Sequence, residues 1–454
     1  MNTRYTRFIV CPSNTSVMVV ICFVITAMIM EASIPDISAF VGEVIPSSSD
    51  ITIFTIMTLI YAFGQFIILR FVKQTGQSIK SSMLRVVNKS VSVIQLFLIV
   101  ILLLIIVQMV IFMRYDIFFM KLIIWISCIT SIFLLGILAE KFFSWFRSNR
   151  NLTVFLYSLA IVLLSINAAF IILDVTSSLT RFGQNDYIQP SIGKVANTAL
   201  FSFDNMFHNG YVITSILSFI LMWLATVVLL YHHSSKLGRI KYWIIVTIPL
   251  VYFLSEFQSY FLDLFAQFRL SDPILFGIVY TLFFSATRPI GGLLFGIAFW
   301  SIARRIRGHA VKDYMTLSAY GVILIFSSNQ ITSLILAHYP PFGLASISFL
   351  GLGSYLLLVG IYSSAISVAN DNNLRRSMRQ TMERESLMLD NIATSQLETE
   401  IQNRITSIAK HFSAESKYVY EKTGVESSIQ EEEIKEYLKL TLQEIENSKR
   451  RNNN

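Results

Sequence analysis

The feature that most constrains this chain is the recurrence of apolar runs of about 20 residues, the length an α-helix needs to cross roughly 30 Å of hydrocarbon. These runs recur from Thr15 to Ala369. With 54% hydrophobic and only 14% charged residues among 454, the composition lies outside the range of soluble globular chains. The sequence therefore predicts an all-α fold: a polytopic transmembrane helix bundle in a lipid bilayer.

Ten membrane spans are predicted from these runs. They cover residues 15–30, 51–72, 91–113, 117–139, 152–173, 211–231, 240–262, 274–303, 314–337 and 345–369. The eighth contains the stretch SATRPIGG, from Ser285 to Gly292. We expect it to cross once, because a hairpin at its proline would reverse the charge bias of every later loop.

The distribution of loop charge predicts the orientation, because short cytoplasmic loops are rich in Lys and Arg. With a cytoplasmic N-terminus, the inner loops hold seventeen basic residues and the outer segments five. The acidic residues assigned to the outer side are Glu31, Asp36, Glu43, Asp50, Asp174, Asp186, Asp204 and Asp272. The prediction is a multi-pass protein of the cell membrane with both termini cytoplasmic.

The first apolar segment has an alternative interpretation. Arg4 and Arg7 precede the short apolar stretch from Val17 to Met30, and small residues follow it, as in a signal peptide. Cleavage there would leave nine spans and the same orientation downstream.

A change in composition at Ala369 predicts two domains, a transmembrane helical domain at 1–370 and a cytoplasmic tail at 371–454. A narrow apolar seam in the tail is typical of a coiled coil or a helix hairpin. Its members are Leu374, Met378, Met388, Ile392, Leu397, Ile401, Ile405, Ile408 and Phe412. The seam predicts self-association or a cytoplasmic protein partner; the alternative is a tail that is only partly helical and binds nothing.

Three stretches of the tail carry a resemblance. NNLRRSMRQ from Asn372, LETEIQNRITSIAK from Leu397 and TGVESSIQEEEIKEYLKLTLQEI from Thr423 resemble the C-terminal tails of a group of uncharacterised archaeal polytopic membrane proteins. The likeness covers the last fifth of the chain, and the spans only by general pattern. That group has no assigned activity, so the resemblance implies architecture and a cytoplasmic coiled-coil tail, and it carries over no catalytic residue.

Arg288 is the main candidate for a site inside the membrane. A rise of 1.5 Å per residue places it roughly 21 Å along a helix that begins at Ile274, near the bilayer midplane. A charge there costs at least about 2.5–3.5 kcal/mol, so the side chain should face the bundle interior and have a partner. Pro289 predicts a helix kink, and Gly291, Gly292 and Gly296 predict close approach of a neighbouring helix.

Polar residues at similar depth on other spans are the candidate partners of Arg288. Glu256 is the first acidic candidate and Asp263 the second. Further candidates for lining one ligand-binding or coupling pocket are Asn167, Asn329 and Gln330. The alternative is an ion pair with amide hydrogen bonds that serves only to set helix register.

Two function classes follow from this pocket. The first is a membrane sensor or transducer, favoured because Leu356 to Arg376 contains no proline and only one glycine, so one rigid helix would connect the membrane to the tail. The second is a secondary transporter of a small solute or ion. It is less favoured because the third span is unbroken, whereas its counterpart in an inverted repeat, the eighth, is not.

Other classes find little support in the sequence. There is no GxSxG context with a histidine, no HExxH and no CxxC, so we expect neither an enzyme, nor a metal site, nor a cofactor. The net charge of +8 is explained by the basic inner loops, so nucleic acid is not an expected partner.

Overall fold

The computed structural model describes most of the chain. Described residues are 14–41, 48–76, 82–181, 187–188, 206–231, 239–257, 261, 264–305, 309–329, 339–370, 392–402, 405–408 and 410. Within them the structure is all-α apart from one two-residue ladder, in agreement with the predicted fold class.

Eleven α-helices have defined bounds. In chain order they are α1 Asn14–Val41, α2 Ser48–Gly76, α3 Ser82–Phe112, α4 Ile117–Asn149, α5 Leu152–Arg181, α6 Met206–Tyr231, α7 Arg239–Thr247, α8 Ala266–Ser271, α9 Pro273–Arg305, α10 His309–Ser328 and α11 Leu344–Asn370. A 3₁₀ helix, Ile248–Phe257, follows α7 directly. The strands are β1 Tyr115–Asp116 and β2 Tyr187–Ile188.

Eight of the described helices are long and apolar enough to cross a membrane: α1 to α6, α9 and α11. The remaining two predicted spans correspond to α7 with its 3₁₀ extension and to α10. Residues 330–338, at the end of the ninth predicted span, lie outside the described part of the chain. Membrane crossing is thus supported for eight helices, and the total of ten stays a prediction.

The seventh predicted span differs from the continuous α-helix that its apolar spacing indicates. The α-helix ends at Thr247 and continues as a 3₁₀ helix that contains Pro249. Proline has no amide hydrogen and its ring obstructs the carbonyl four residues earlier, which here is that of Ile245. The proline therefore accounts for the change of helix type.

Local capping explains why α4 and its neighbours begin and end where they do. Asp116 caps α4 by accepting a hydrogen bond of 2.8 Å from the Phe118 amide. At its other end α4 closes at Arg150, in the left-handed conformation with φ of 44°. Asn151 then accepts a hydrogen bond of 2.9 Å from the Thr153 amide. This tight turn places α4 and α5 side by side and antiparallel.

The connection between α3 and α4 also contacts the start of α11. Tyr115 pairs with Ile188 in the antiparallel ladder. Its ring stacks on that of Tyr339, with the ring centroids 6.1 Å apart. Burial raises the pKa of both phenols, so both remain neutral at physiological pH.

Helix α11 lies at the centre of the bundle, where every residue from Leu344 to Ile361 is buried. It packs most extensively against α10 and α4. Glycines permit the contact with α10: a Cβ at Gly321 would lie 2.5 Å from the Leu357 amide nitrogen, and one at Gly360 would lie 2.5 Å from the Tyr314 carbonyl oxygen. The α10 and α11 backbones therefore touch.

The two ends of the bundle differ in charge. Arg70 and Lys73 near the end of α2, Arg147 near the end of α4 and Lys312 at the start of α10 belong to one end, which we call the basic end. Tyr314 of α10 donates to the carbonyl of Thr75 at 3.2 Å, which joins two of these helices. The opposite end holds the strand ladder and the start of α11.

Candidate functional site

The Arg288 side chain lies inside the bundle, 9% exposed, on α9. Helix α9 is continuous from Pro273 to Arg305 and contains Pro289 within it. A Cβ at Gly292 would lie 2.8 Å from the Cβ of Phe326. The absence of a side chain at Gly292 therefore lets α9 approach α10 closely. This contact brings the guanidinium to the end of α10.

Two oxygens of the described residues accept hydrogen bonds from the Arg288 guanidinium. Its Nη1 donates to the hydroxyl of Tyr211 at 2.8 Å and to the main-chain carbonyl of Asn329. The guanidinium carbon also lies 6.0 Å from the centroid of the Tyr211 ring. Asn329 follows the last residue of α10, where carbonyls have no partner within the helix. Arg288 satisfies one of these carbonyls.

The side-chain amides of Asn329 and Asn167 extend this network. Tyr211 donates its phenolic proton to Asn329 Oδ1 at 3.0 Å, and Asn329 Nδ2 donates to Asn167 Oδ1 at 3.1 Å. Asn167 Nδ2 in turn donates to the Tyr211 carbonyl at 2.9 Å and to Thr214 Oγ1 at 3.0 Å. We call Arg288, Tyr211, Asn329, Asn167 and Thr214 the Arg288 cluster. It joins α5, α6, α9 and the end of α10.

The structure thus brings together three of the predicted site residues: Arg288, Asn167 and Asn329. Asp263 and Gln330 lie outside the described residues. The backbone of Glu256 belongs to the 3₁₀ helix, while its side chain lies outside the description. The predicted pairing of Arg288 with an acid therefore stays a prediction.

Sequence reasoning missed Tyr211 and Thr214, the α6 members of the cluster. Both are neutral residues in an apolar run, so nothing in the run distinguishes them from core side chains. Their spacing of three places them on one face of a helix, which is the one signal that points to a shared site.

A contact between a histidine and a carboxylate adjoins the cluster. His208 Nδ1 lies 3.0 Å from Asp174 Oδ2, and the His208 ring contacts that of Tyr211 with centroids 6.1 Å apart. The sequence analysis placed Asp174 in an outer segment, whereas the structure buries it within α5 at 4% exposure. Since the carboxylate has His208 as a partner, its burial is compensated.

Glu31 marks a second buried polar cluster, at the end of the bundle that lies opposite the basic end. It is 1% exposed and lies in α1, although the sequence analysis assigned it to an outer segment. Its Oε2 accepts from the Tyr61 hydroxyl of α2 at 2.7 Å and from the Ser346 hydroxyl of α11. Its Oε1 accepts from the Gly343 amide at 2.8 Å. The carboxylate therefore binds the first turn of the central helix.

A third contact joins residues 392–402, which we call the tail segment, to the basic end. Ile392 and Ala393 are buried in the same apolar core as the bundle. Trp145 Nε1 of α4 donates to Gln396 Oε1 at 3.2 Å, and the Ser395 hydroxyl donates to the Trp145 carbonyl at 3.3 Å. Ser148 also donates to a Glu398 carboxylate oxygen. Ile392, a member of the predicted seam, here contacts the bundle.

In the Arg288 cluster the guanidinium donates to a phenol oxygen and to a main-chain carbonyl oxygen. A guanidinium exposes a planar fork that matches a carboxylate or a phosphate, so an anion is the ligand class this group recognises. Among the described residues, no group of three or more His, Cys, Asp and Glu is positioned to hold a metal ion.

Comparison of the chain with family models, with curated proteins and with solved structures finds no match.

Proposed function

We propose that this protein is a membrane sensor or transducer, without an enzyme domain of its own, that couples the Arg288 cluster to the cytoplasmic tail. The observation that carries this proposal is the contact of the tail segment with Trp145, beside the central helix. A tail attached in this way responds to a shift of the helices that it touches.

The first step of the coupling runs from Arg288 to α10. The guanidinium holds the carbonyl of Asn329 and, through Tyr211, its side chain. A carboxylate or phosphate from a small molecule or lipid forms charge-assisted hydrogen bonds with a guanidinium, and it would compete with Asn329 for Arg288. Binding would release the end of α10 and change its position.

The second step runs from α10 to α11. Their backbones touch at Gly321 and at Gly360, so neither helix moves toward the other without displacing it. Packed interiors transmit such displacements because they contain little free volume. A shift of α10 therefore becomes a shift of α11.

The third step runs from α11 to the tail segment. Tyr362, in the last turns of α11, is hydrogen-bonded to the Gln396 side chain, the same group that accepts from Trp145. Gln396 thus lies between α11 and α4 and is sensitive to their relative position. Under the positive-inside rule the basic end is cytoplasmic, and the tail beyond this segment would meet itself or a partner protein there.

Hydrogen–deuterium exchange of the full-length protein in nanodiscs tests the coupling. Arg288→Leu should raise the exchange of residues 392–402 several-fold, because it removes the bonds that hold the end of α10. Lys121→Leu, which removes a positive charge near the opposite end of α4, is the matched control and should leave the tail segment unchanged. If exchange increased only near Arg288 and the tail segment were unchanged, the cluster would stabilise helix packing without coupling to the tail.

A secondary transporter of a small solute or ion is the alternative, and the observation that favours it is the buried carboxylate of Glu31. Deletion of residues 371–454 separates the two functions. A transporter should continue to move its substrate across proteoliposomes without the tail, whereas a transducer should lose its output.

A further inference from the structure

Glu31 is an ionisable group deep in the bundle that the proposed transducer does not use. It lies within the apolar window Ser16–Ile34 of α1 and is 1% exposed. Ionisable residues inside membrane helices are rare, since their charged form is costly there, and they mark ion or proton sites more often than surface residues do.

The charged form of Glu31 has no positive partner in the described part of the chain. No Lys, Arg or His nitrogen described in the structure lies within 4.0 Å of its oxygens. Among the described residues, the Tyr61 hydroxyl, the Ser346 hydroxyl and the Gly343 amide donate hydrogen bonds to it. Within the described part of the chain, the negative charge is therefore stabilised by neutral dipoles.

The helices packed against α1 carry the other ionisable groups that could affect this carboxyl. Tyr61 is the titratable group that α2 turns toward it. On α9 the buried charge is Arg288, which is engaged in its own cluster. On α10, Tyr320 lies beside Cys22, nine residues before Glu31 on α1. The start of α11 contributes the uncharged Gly343 and Ser346.

Three oxygens at this site form a triangle. Glu31 Oε2 accepts from both hydroxyls, and Tyr61 Oη lies 3.2 Å from Ser346 Oγ, with either able to donate. In the ionised state the two hydroxyl protons point at the carboxylate. In the neutral state the acid proton goes to Ser346, the Ser346 proton to Tyr61 and the Tyr61 proton back to Glu31. Every edge of the triangle is then a hydrogen bond.

Two further buried acceptors belong to Gln65 and Gln95, whose side chains contact Ser348. Gln65 Nε2 donates to Ser348 Oγ at 2.8 Å and Gln95 Nε2 to the Ser348 carbonyl at 3.5 Å. Ser348 is two residues beyond Ser346, a rise of about 3 Å along the helix. The amide oxygens of both glutamines are buried without a hydrogen-bond donor among the described residues. They offer acceptors for a water molecule between α2, α3 and α11.

We propose that the Glu31, Tyr61 and Ser346 triangle is a reversible proton-binding site within the membrane domain. Hydronium from solvent gives its proton to Glu31 Oε2, one O–H bond forms, and water is the product. The hydroxyl protons reorient around the triangle, so the site gains a proton without losing a hydrogen bond. This goes beyond the transducer function and does not depend on it.

Infrared difference spectroscopy of the full-length protein in nanodiscs, between acidic and alkaline buffer, provides the test. The wild type should show a titrating carboxylic-acid C=O band at the frequency of a poorly solvated acid. Glu31→Gln should lose this band, and the protein should take up one proton fewer per chain. Glu140→Gln, which changes an exposed acid on α4, is the matched control and should keep the band.

A second variant keeps the test decisive if Glu31→Gln does not fold. Tyr61→Phe retains the carboxyl and removes a hydroxyl that bonds both states, but the bond to the ionised carboxylate is charge-assisted and the stronger one. The midpoint of the band should therefore move to higher pH by about one unit, a tenfold gain in proton affinity. A band that is unchanged in Glu31→Gln, or a midpoint unmoved in Tyr61→Phe, would overturn the proposal. Either outcome would leave the exchange test of the Arg288 cluster unaffected.

Discussion

The hydroxyl of Tyr211 accepts a hydrogen bond of 2.8 Å from the Arg288 guanidinium and donates its own proton to Asn329 at 3.0 Å. The phenol hydroxyl therefore both accepts and donates a hydrogen bond. It joins α6, α9 and the end of α10 at one point, so its removal affects three elements together.

Tyr211→Phe should therefore lower the free energy of unfolding by about 1–3 kcal/mol, because it leaves Arg288 and Asn329 each without one partner in a buried site. Thermal unfolding in nanodiscs measures the loss. Tyr231→Phe, at the exposed end of the same helix, is the control and should change the stability by less than about 0.5 kcal/mol. Equal effects of the two variants would contradict a special role for the Tyr211 hydroxyl.

Gly360→Ala should destabilise the protein by about 1–3 kcal/mol, because the added methyl would meet the backbone of α10 and force α10 and α11 apart. Gly136 is the matched position, on α4, since a Cβ there meets nothing within 4 Å. Gly136→Ala should stabilise its helix by about 0.5–1 kcal/mol. The same thermal unfolding assay measures both variants, and a neutral Gly360→Ala would show that the two helices can separate freely.

Gln65→Met should be nearly neutral, within about 0.5 kcal/mol, although Gln65 is fully buried. The change removes the bond to Ser348, but it also removes an amide oxygen that has no donor among the described residues. Losing an amide oxygen that lacks a donor offsets the loss of the bond to Ser348, whose hydroxyl keeps its own bond to the Ala345 carbonyl. If Gln65→Met costs as much as Tyr211→Phe, the oxygen has a bound partner, such as the water expected between α2, α3 and α11.

Trp145→Phe should loosen the tail segment while the membrane domain stays folded. The substitution keeps an aromatic ring in the core but removes the indole N–H that donates to Gln396. Exchange of residues 392–402 should increase by about fivefold, as expected for a net hydrogen bond of about 1 kcal/mol. Trp125→Phe removes a comparable bond, to Thr176 at 3.0 Å, far from the tail, and should leave that exchange unchanged.

The Arg288 cluster illustrates how far the sequence reaches. The depth of Arg288 along its span and the similar depth of Asn167 and Asn329 were enough to predict that the three would meet. The contribution of Tyr211 on α6 was not predictable, because nothing in the sequence distinguishes a tyrosine near a helix start from an ordinary core side chain. Its role depends on the rotation of α6, which is set by packing.

Glu31 shows the opposite case. By position it follows an apolar run, and a residue there is as well suited to a loop as to a helix. The structure extends α1 to Val41 and buries the carboxyl against α2 and α11. Its donors come from residues 30 and 312 to 315 positions away in sequence, a separation over which no local pattern carries information.

The sequence by itself determined that the chain is helical and lies in a bilayer, because long apolar runs satisfy their backbone hydrogen bonds in lipid only as helices or closed barrels. It also determined at what depth in the bilayer the hydrogen-bond partners of Arg288 lie, because that depth follows from the position of Arg288 along its span. Only the tertiary structure decided which neighbours meet Arg288, what holds Glu31 and where residues 392–402 attach. These depend on helix rotation and neighbour order, which arise from side-chain packing between segments distant in the sequence.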